Sequence, residues 1–360
     1  MSDTTARDGL NSLDTPFLAV DLAVMDRNIE RLAGRLRGTG VQLRPHAKSH
    51  KCIEIAQRQI DSGAIGLTVA TIGEAEVFAE AGFTDLFIAY PLWVTPHKAH
   101  RLRQVATRAA LRVAVDSAAG AHQLAEHLGD LPITVVIEVD SGHHRTGVSP
   151  DDAGPVAAAA RSAGLNVVGV FTFPGHGYTP GQRTEVAAQE AQELDAAARS
   201  LRAQGINPLV RSGGSTPTVG SADNTVLTEV RPGVYPFNDA QQFELDVCTL
   251  DDIALSAVTT VVHTRGRTAV VDAGSKVLGA DRPGWATGFG RVIEEPDARI
   301  VALSEHHATV EFPNAAPTPG TRLRIAPNHL CNAVNLVDAL VIDAADGVLH
   351  WAVAARGANA

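Results

Sequence analysis

The 360-residue sequence predicts a (β/α)8 barrel of the TIM type joined to a second, mostly antiparallel β domain. Three observations carry that prediction. Apolar runs alternate with ten- to twenty-residue amphipathic stretches over the first two hundred residues, which implies a parallel sheet. The units number close to eight, and no Gly-x-Gly-x-x-Gly follows the first strand, so a closed barrel is favoured over an open dinucleotide-binding sheet. Beyond about Leu245 the helical periodicity fades into short β-rich runs separated by Gly, Pro and Asn.

In order, strands are expected at residues 17–20, 41–43, 66–70, 86–89, 111–115, 133–139, 167–173 and 208–211. Helices are expected at 25–36, 53–62 and 73–81, and at 184–203, where Ala, Glu, Gln and Arg surround apolar positions at three- and four-residue spacing. In the second domain strands are expected at 254–262, 267–272, 299–303, 308–312, 322–325, 338–342 and 349–354. The division is therefore a barrel over 1–245 and a β domain over 246–360, with the N-terminal residues free to pack on the β domain. No internal repeat or low-complexity tract is seen.

Composition narrows the function. Apolar residues make up 45%, and no run approaches the roughly 20 apolar residues of a membrane span. Residues 1–15 are polar with three acids, unlike a signal peptide. A formal charge of −10 argues against a nucleic-acid partner. The three cysteines, Cys52, Cys248 and Cys331, cannot make a disulfide framework, so a reduced, cytoplasmic setting is expected.

The most distinctive stretch is Arg44-Pro-His-Ala-Lys-Ser-His-Lys51. A lysine at a barrel strand end, crowded by Arg44, His46, His50 and Lys51 and partly desolvated, becomes a usable amine nucleophile, as a Schiff-base lysine requires. Taken alone, the eight residues read equally as a solvated basic loop. Barrel chemistry sits after the strands, which brings in Thr71, the 140–145 segment, Gly175-His-Gly-Tyr178 and Ser212-Gly-Gly-Ser-Thr-Pro217. The last suits a phosphate, through close backbone approach and hydroxyl donors, although Gly-Gly after a strand is also an ordinary turn. A second small turn, Arg231-Pro-Gly-Val-Tyr235, follows one strand later, where barrels bind phosphate. A lysine early and a phosphate cradle late describe pyridoxal phosphate, with Arg145 placed to meet its ring.

In Pro327-Asn-His-Leu-Cys331 an extended chain would point His329 and Cys331 to one side, a soft donor pair that suits zinc. With no Cys-x-x-Cys partner, such a site would keep open positions, as catalytic metal sites do. A buried cysteine beside a surface histidine is the plain alternative. Glu305 and His306 point to opposite faces of a strand and weigh less.

These motifs, with Thr15-Pro16, Asp140-x-Gly-x-x-Arg-x-Gly-Val148, Thr228-Glu-x-Arg-Pro-Gly-x-Tyr235 and Val271-Asp-Ala-Gly-Ser-Lys276, resemble the D-threonine aldolase and D-serine dehydratase family of fold-type III pyridoxal phosphate enzymes, from about residue 15 to 356. The resemblance implies an alanine-racemase-like barrel with a β domain, in a homodimer. It implies Lys48 as the Schiff-base lysine, with Arg145 and Tyr178 at the cofactor. Ser212, Gly214, Ser215, Gly233 and Tyr235 would cradle the phosphate, and His329 and Cys331 would ligate a metal. Cysteine at 331 sides with zinc-dependent dehydratases, where aldolases more often carry aspartate with manganese or magnesium. Asn332-Ala333 and Ser304-Glu-His-His307 depart from the usual family residues. The implied activity is a lyase for small D-3-hydroxy amino acids, dehydrating them to a 2-oxo acid and ammonia. The alternative is retro-aldol cleavage to glycine and an aldehyde. A racemase would need a second base and no metal, and a cofactor carrier would need no β domain.

Overall fold

The computed structural model describes residues 9–360, so most of the polar 1–15 segment lies outside the described residues. The chain divides into two compact units. One comprises Leu32–Lys48, Ala56–Gly233 and Gly357–Ala360; the other comprises the residues up to Arg31, Ser49–Ile55 and Val234–Arg356.

β1 (Phe17–Asp21) and α1 (Leu22–Leu36) come first. Then follow β2 (Gln42–Leu43), α2 (Ile53–Asp61), β3 (Leu67–Val69), α3 (Ile72–Glu80), β4 (Asp85–Pro91), α4 (Pro96–Ala106), β5 (Ala110–Val115) and α5 (Ala118–Leu128). β6 (Thr134–Glu138), α6 (Pro150–Ser162), β7 (Asn166–Phe171), α7 (Arg183–Ala203), β8 (Val210–Gly213) and β9 (Glu229–Val230) complete the first unit.

Its eight strands are parallel in the order β2-β9-β8-β7-β6-β5-β4-β3. The two edges meet: His46 bridges Thr68, and Ile65 N–H donates to Leu43 O at 2.9 Å. The sheet therefore closes on itself. Caps start the outer helices where the sequence supplies them. Thr71 Oγ1 accepts from Glu74 N–H at the head of α3, Thr95 precedes Pro96 in α4, and Ser117 and Ser149 cap α5 and α6. α7 buries Val186, Ala187, Glu190, Ala191, Leu194, Ala197, Ala198 and Leu201, a helical stripe containing one acid.

The other unit contains α8 (Ala240–Glu244), β10 (Leu255–Arg265), β11 (Thr268–Val271), α9 (Ser275–Leu278), β12 (Gly290–Val292), β13 (Arg299–Leu303) and β14 (Ala308–Glu311). It ends with β15 (Arg322–Pro327), α10 (Leu330–Asn335), β16 (Ala339–Ala344) and β17 (Gly347–Ala352). β10 bends at an irregularity between Val261 and His263 and pairs with both β15 and β11. That closes six antiparallel strands into a small barrel.

β1 departs from expectation. It lies between β10 and β16, antiparallel to the first and parallel to the second, so it is no strand of the eight-stranded barrel. A strand paired and buried on both sides reads as a short apolar run in either setting. The eighth barrel strand is β9, two residues long and too short to show a period. By its contacts the eight-stranded unit runs to Gly233 and the other unit resumes at Val234. Residues after it are held within the β unit: Asn28 Nδ2 donates to Pro236 O and Asp252 O, and Asn238 Nδ2 donates to Asp252 O. Among the described residues no helix is long and apolar enough to cross a membrane.

Candidate active site

At the C-terminal ends of the eight strands lies a cavity of about 380 Å³. Lys48, Thr71, Tyr90, Arg145, Phe173 and Arg231 line it, drawn from the ends of β2, β3, β4, β6, β7 and β9. Lys48 sits on a single 3-10 turn, Ala47–Ser49. Its Nζ lies 5.8 Å from the Phe173 ring centroid, and the Arg145 guanidinium lies 5.1 Å from the same centroid.

The crowding expected around Lys48 is mostly absent. Arg44 turns into the barrel, donating to Glu229 at 2.8 Å and to both Asp85 oxygens at 2.7 and 2.9 Å. Lys51 donates to Asn335 at 2.8 Å, and His50 meets the backbone of Cys52. Of the four, His46 alone also lines the cavity. Neighbouring residues on a tight turn point apart, so closeness in sequence is not closeness of charge.

Behind the cavity the barrel holds charge. Glu229 is buried between Arg44 and Arg112, and it accepts from Ser212 Oγ at 2.6 Å. Burial pushes its carboxyl up, but the charges of Arg44 and Arg112 outweigh that and hold it at about 2. Arg231 is buried beside it. It donates Nε to Ser212 Oγ at 2.8 Å, donates to the Thr172 carbonyl, and lies over the Phe87 and Phe171 rings. Burial lowers Arg231 to about 10, so it stays a cation.

Arg145 hangs on a loop built by Asp140, whose Oδ1 accepts from Gly142 N–H and His144 N–H at 2.9 and 3.0 Å. Gly147 has φ +98°, and a Cβ there would stand 2.7 Å from Asp140 N, so glycine is required. Tyr178 sits on the 3-10 turn Gly175–Tyr178, its ring 6.5 Å from Phe173.

The turns after β8 and β9 are neighbours, since Ser212 pairs with Glu229 and Arg231 N–H donates to Gly213 O at 2.8 Å. Ser215 N–H donates to Thr218 Oγ1, and the two hydroxyls lie 2.9 Å apart. Gly214, at φ +75°, donates its N–H to Glu190 at 2.6 Å. Ser212, expected at the phosphate, donates its hydroxyl to Glu229 and accepts from Arg231 Nε. Gly233 closes the β9 turn, and Tyr235 falls in the other unit, buried.

In the β unit, His329 and Cys331 occupy the corner between β15 and α10. The expected extended strand is replaced by an extended His329 followed by Cys331 in the first helical turn. His329 Nδ1 lies 3.0 Å from Asp281 Oδ2, and Cys331 Sγ donates to Ser49 Oγ at 3.4 Å. Burial opposes charge on His329, but Cys331, Asp239 and Asp281 outweigh it and push the imidazole up to about 10. Asp239 also accepts from Leu330 N–H at 3.2 Å, fixing the corner. No group of three or more His, Cys, Asp or Glu side chains suited to a metal occurs among the described residues.

Sequence reasoning passed over Arg231, Phe173, Tyr90 and Asp281. Arg231 stood in a motif already singled out, whereas nothing in the sequence ties Asp281 to a histidine 48 residues away.

The chain matches the alanine racemase N-terminal domain over residues 20–240 and a putative serine dehydratase domain over 254–342. D-threo-3-hydroxyaspartate dehydratase of Delftia sp. is 37% identical, over 96% of this chain and 98% of that one. D-threonine aldolase of Arthrobacter sp. is 34% identical over 97% and 94%, and D-serine dehydratase of Dictyostelium discoideum 28% identical over 90% and 92%. The solved Delftia enzyme superposes with a TM-score of 0.88 at 35% identity, over 96% of this chain and 98% of that chain. Its solved variants include a cysteine-to-alanine form described as metal-free and a histidine-to-alanine form, the two positions two residues apart. The chain therefore belongs to the alanine-racemase-like D-threonine aldolase and D-serine dehydratase family, a pyridoxal-phosphate-dependent lyase acting on D-hydroxy amino acids.

Proposed function

We propose that this enzyme dehydrates a D-3-hydroxy amino acid to a 2-oxo acid and ammonia, with pyridoxal phosphate and a zinc ion as cofactors, in the homodimer that the family resemblance implies. The observation that carries the choice of dehydration is the donor pair at the β15–α10 corner. Asp281 holds His329 through Nδ1, and the neighbouring donor is a cysteine sulfur, not a carboxylate.

The residues present fit both groups. Lys48 faces a cavity walled by Arg145 and floored by the buried cation Arg231. Thr218 Oγ1 accepts Ser215 N–H, and if the Thr218 hydroxyl donates to Ser215 Oγ, the Ser215 proton is available to an anion. Residues 212–215 with Gly233 would hold the phosphate, Gly214 by leaving room for it, since its N–H is held by Glu190. Bound pyridoxal phosphate supplies an electron sink for negative charge at Cα. A zinc ion on His329 and Cys331 supplies a Lewis acid for the departing β-hydroxyl.

The chain's own groups do the rest. Lys48 Nζ is the amine that would hold the cofactor's aldehyde, and as a free amine facing the cavity it would take the α-proton. Arg145 and Phe173 fix the wall against which that amine works. His329 would ligate a metal only as the neutral imidazole.

The test is product analysis on D-serine, D-threonine and D-threo-3-hydroxyaspartate, with ammonia and glycine assayed together before and after a chelator. Ammonia with a matching 2-oxo acid, lost on chelation and restored by zinc, is the expected result. Glycine with an aldehyde would replace this reading with retro-aldol cleavage, and full turnover in metal-free protein would return a racemase to consideration.

A further inference from the structure

One acid beside the cavity has no part in the chemistry above. Glu190 lies in the apolar stripe of α7, 0% exposed, with Oε1 2.6 Å from Gly214 N. Its Oε2 has no hydrogen-bond partner among the described residues. The contact shapes the sequence around it. A Cβ at Gly213 would run into Glu190 Oε1, so glycine there makes room for the carboxyl. Gly214 then takes φ +75°, its N–H held by that carboxyl, and a Cβ on it would stand 3.0 Å from Val230. The two glycines of the β8 turn are thus explained by one buried acid behind them.

The groups around Glu190 leave it poorly compensated. On α6, Arg161 is spent on the Gln204 and Gly205 carbonyls, and Asp151 and Asp152 stand exposed at that helix's start. On β8, Arg211 is spent on the Val226 and Pro208 carbonyls. His176, on the Gly175–Tyr178 turn, engages Gln189. Arg231 alone acts on its charge, and Arg231 is shared with Glu229 and Glu138. Burial accordingly pushes the Glu190 carboxyl up to about 7. A dianionic phosphate seated on the turn would add a second negative charge in low dielectric with no new cation, and only the neutral acid tolerates that.

We propose that Glu190 is the positioning residue of the phosphate turn, holding Gly214 from behind and taking up a proton when the cofactor phosphate binds. The proposal rests on the placement of that phosphate at the β8 and β9 turns. It makes the phosphate's contribution to cofactor affinity fall at alkaline pH, although the phosphate itself is already dianionic above about pH 7.

The full chain, freed of cofactor, is titrated with pyridoxal phosphate and with pyridoxal across about pH 5.5 to 8.5. The dissociation constant of pyridoxal divided by that of pyridoxal phosphate isolates the phosphate. In the unaltered chain the ratio should fall about tenfold per pH unit above the Glu190 transition, whereas in Glu190→Gln it should stay level there. The same decline in both proteins overturns the proposal. Ser215→Ala separates the two ideas. If it leaves the ratio untouched, the phosphate is not on this turn and the placement fails. If it collapses the ratio while the unaltered chain shows no decline, the placement stands and the role of Glu190 fails. Should Glu190→Gln not fold, calorimetry of the unaltered chain in two buffers of different ionisation enthalpy decides. Proton uptake with pyridoxal phosphate beyond that with pyridoxal supports the proposal, and equal values refute it.

Discussion

Behind the Lys48 cavity the eight-stranded unit is packed with Arg44, Arg112, Arg231, Glu229, Glu190 and Glu138, while the six-stranded barrel of the other unit is filled by Ala257, Val261, Val271, Ile300, Val310 and Ile325. Both interiors are buried, but they are stabilised differently. The β unit relies on apolar burial, worth roughly 1.5–3 kcal/mol for each large side chain. The eight-stranded unit gives up part of that to hold a cation at the cavity floor, and each buried charge needs a partner to be tolerated. The functional corners differ in the same sense. Lys48 and Arg231 are placed by a ring of paired strands and a buried ion network. His329 and Cys331 stand on one turn steadied by Asp281, Asp239 and Ser49. The lesson is that a charged interior fixes one group rigidly, whereas a donor pair on a corner keeps positions open for exchangeable ligands.

The sharpest way to break the comparison is at Lys48. Lys48→Ala should remove the long-wavelength absorbance of a lysine-bound cofactor and cut turnover by at least about 10³-fold, in the upper range for losing a proton-transfer group. Survival of that absorbance, carried by Lys51 or Lys276, would dissolve the assignment.

Next in size is the ion network. Glu229→Gln leaves Arg112 without its carboxylate and Arg44 with Asp85 alone, and should cost about 3–5 kcal/mol in denaturant unfolding. The pH dependence follows from the sign of the shift. Glu229 is held at about 2, below its ordinary 4.5, so its contribution is full above that ordinary value and is lost as pH falls toward 2. Glu190 runs the other way: raised to about 7, it contributes most below 4.5 and loses that contribution as pH rises through 7. Stability curves of Glu229→Gln and Glu190→Gln should therefore flatten on opposite sides. Flattening on the same side in both would mean that the two acids belong to one coupled system.

The smallest effect is expected at the corner. Asp281→Asn keeps the fold but loosens the His329 ring, and should weaken metal affinity about 10–100-fold with thermal stability of the metal-free chain unchanged. Unaltered affinity, read by competition with a chromogenic chelator, would show that Asp281 does not set the ligand.

Much of the architecture was legible because it is repetitive. Strand–helix alternation with a 3.6-residue period marks α7 however the rest folds, and the strands at 110–115 and 299–303 announce themselves by composition. Lys48, Arg145, His329 and Cys331 stood out because residue types that are costly to place cluster with Gly and Pro at strand ends.

Pairing across distance left no such trace. Eight barrel strands were expected and eight exist, but β1 was counted in and β9 left out, because hydrogen-bond partners are chosen in three dimensions and a five-residue apolar run is compatible with either sheet. Ser212 shows no sign in the sequence of the contacts its hydroxyl makes with Glu229 and Arg231, 17 and 19 residues away. Arg44 looked like a neighbour of Lys48 until the turn between them sent its guanidinium to Glu229 and Asp85. Local chemistry is written in adjacent residues, because backbone propensity and side-chain type act over a few positions. Which charges meet depends on chain closure between residues tens to hundreds of positions apart, and burial then decides which of those meetings persist.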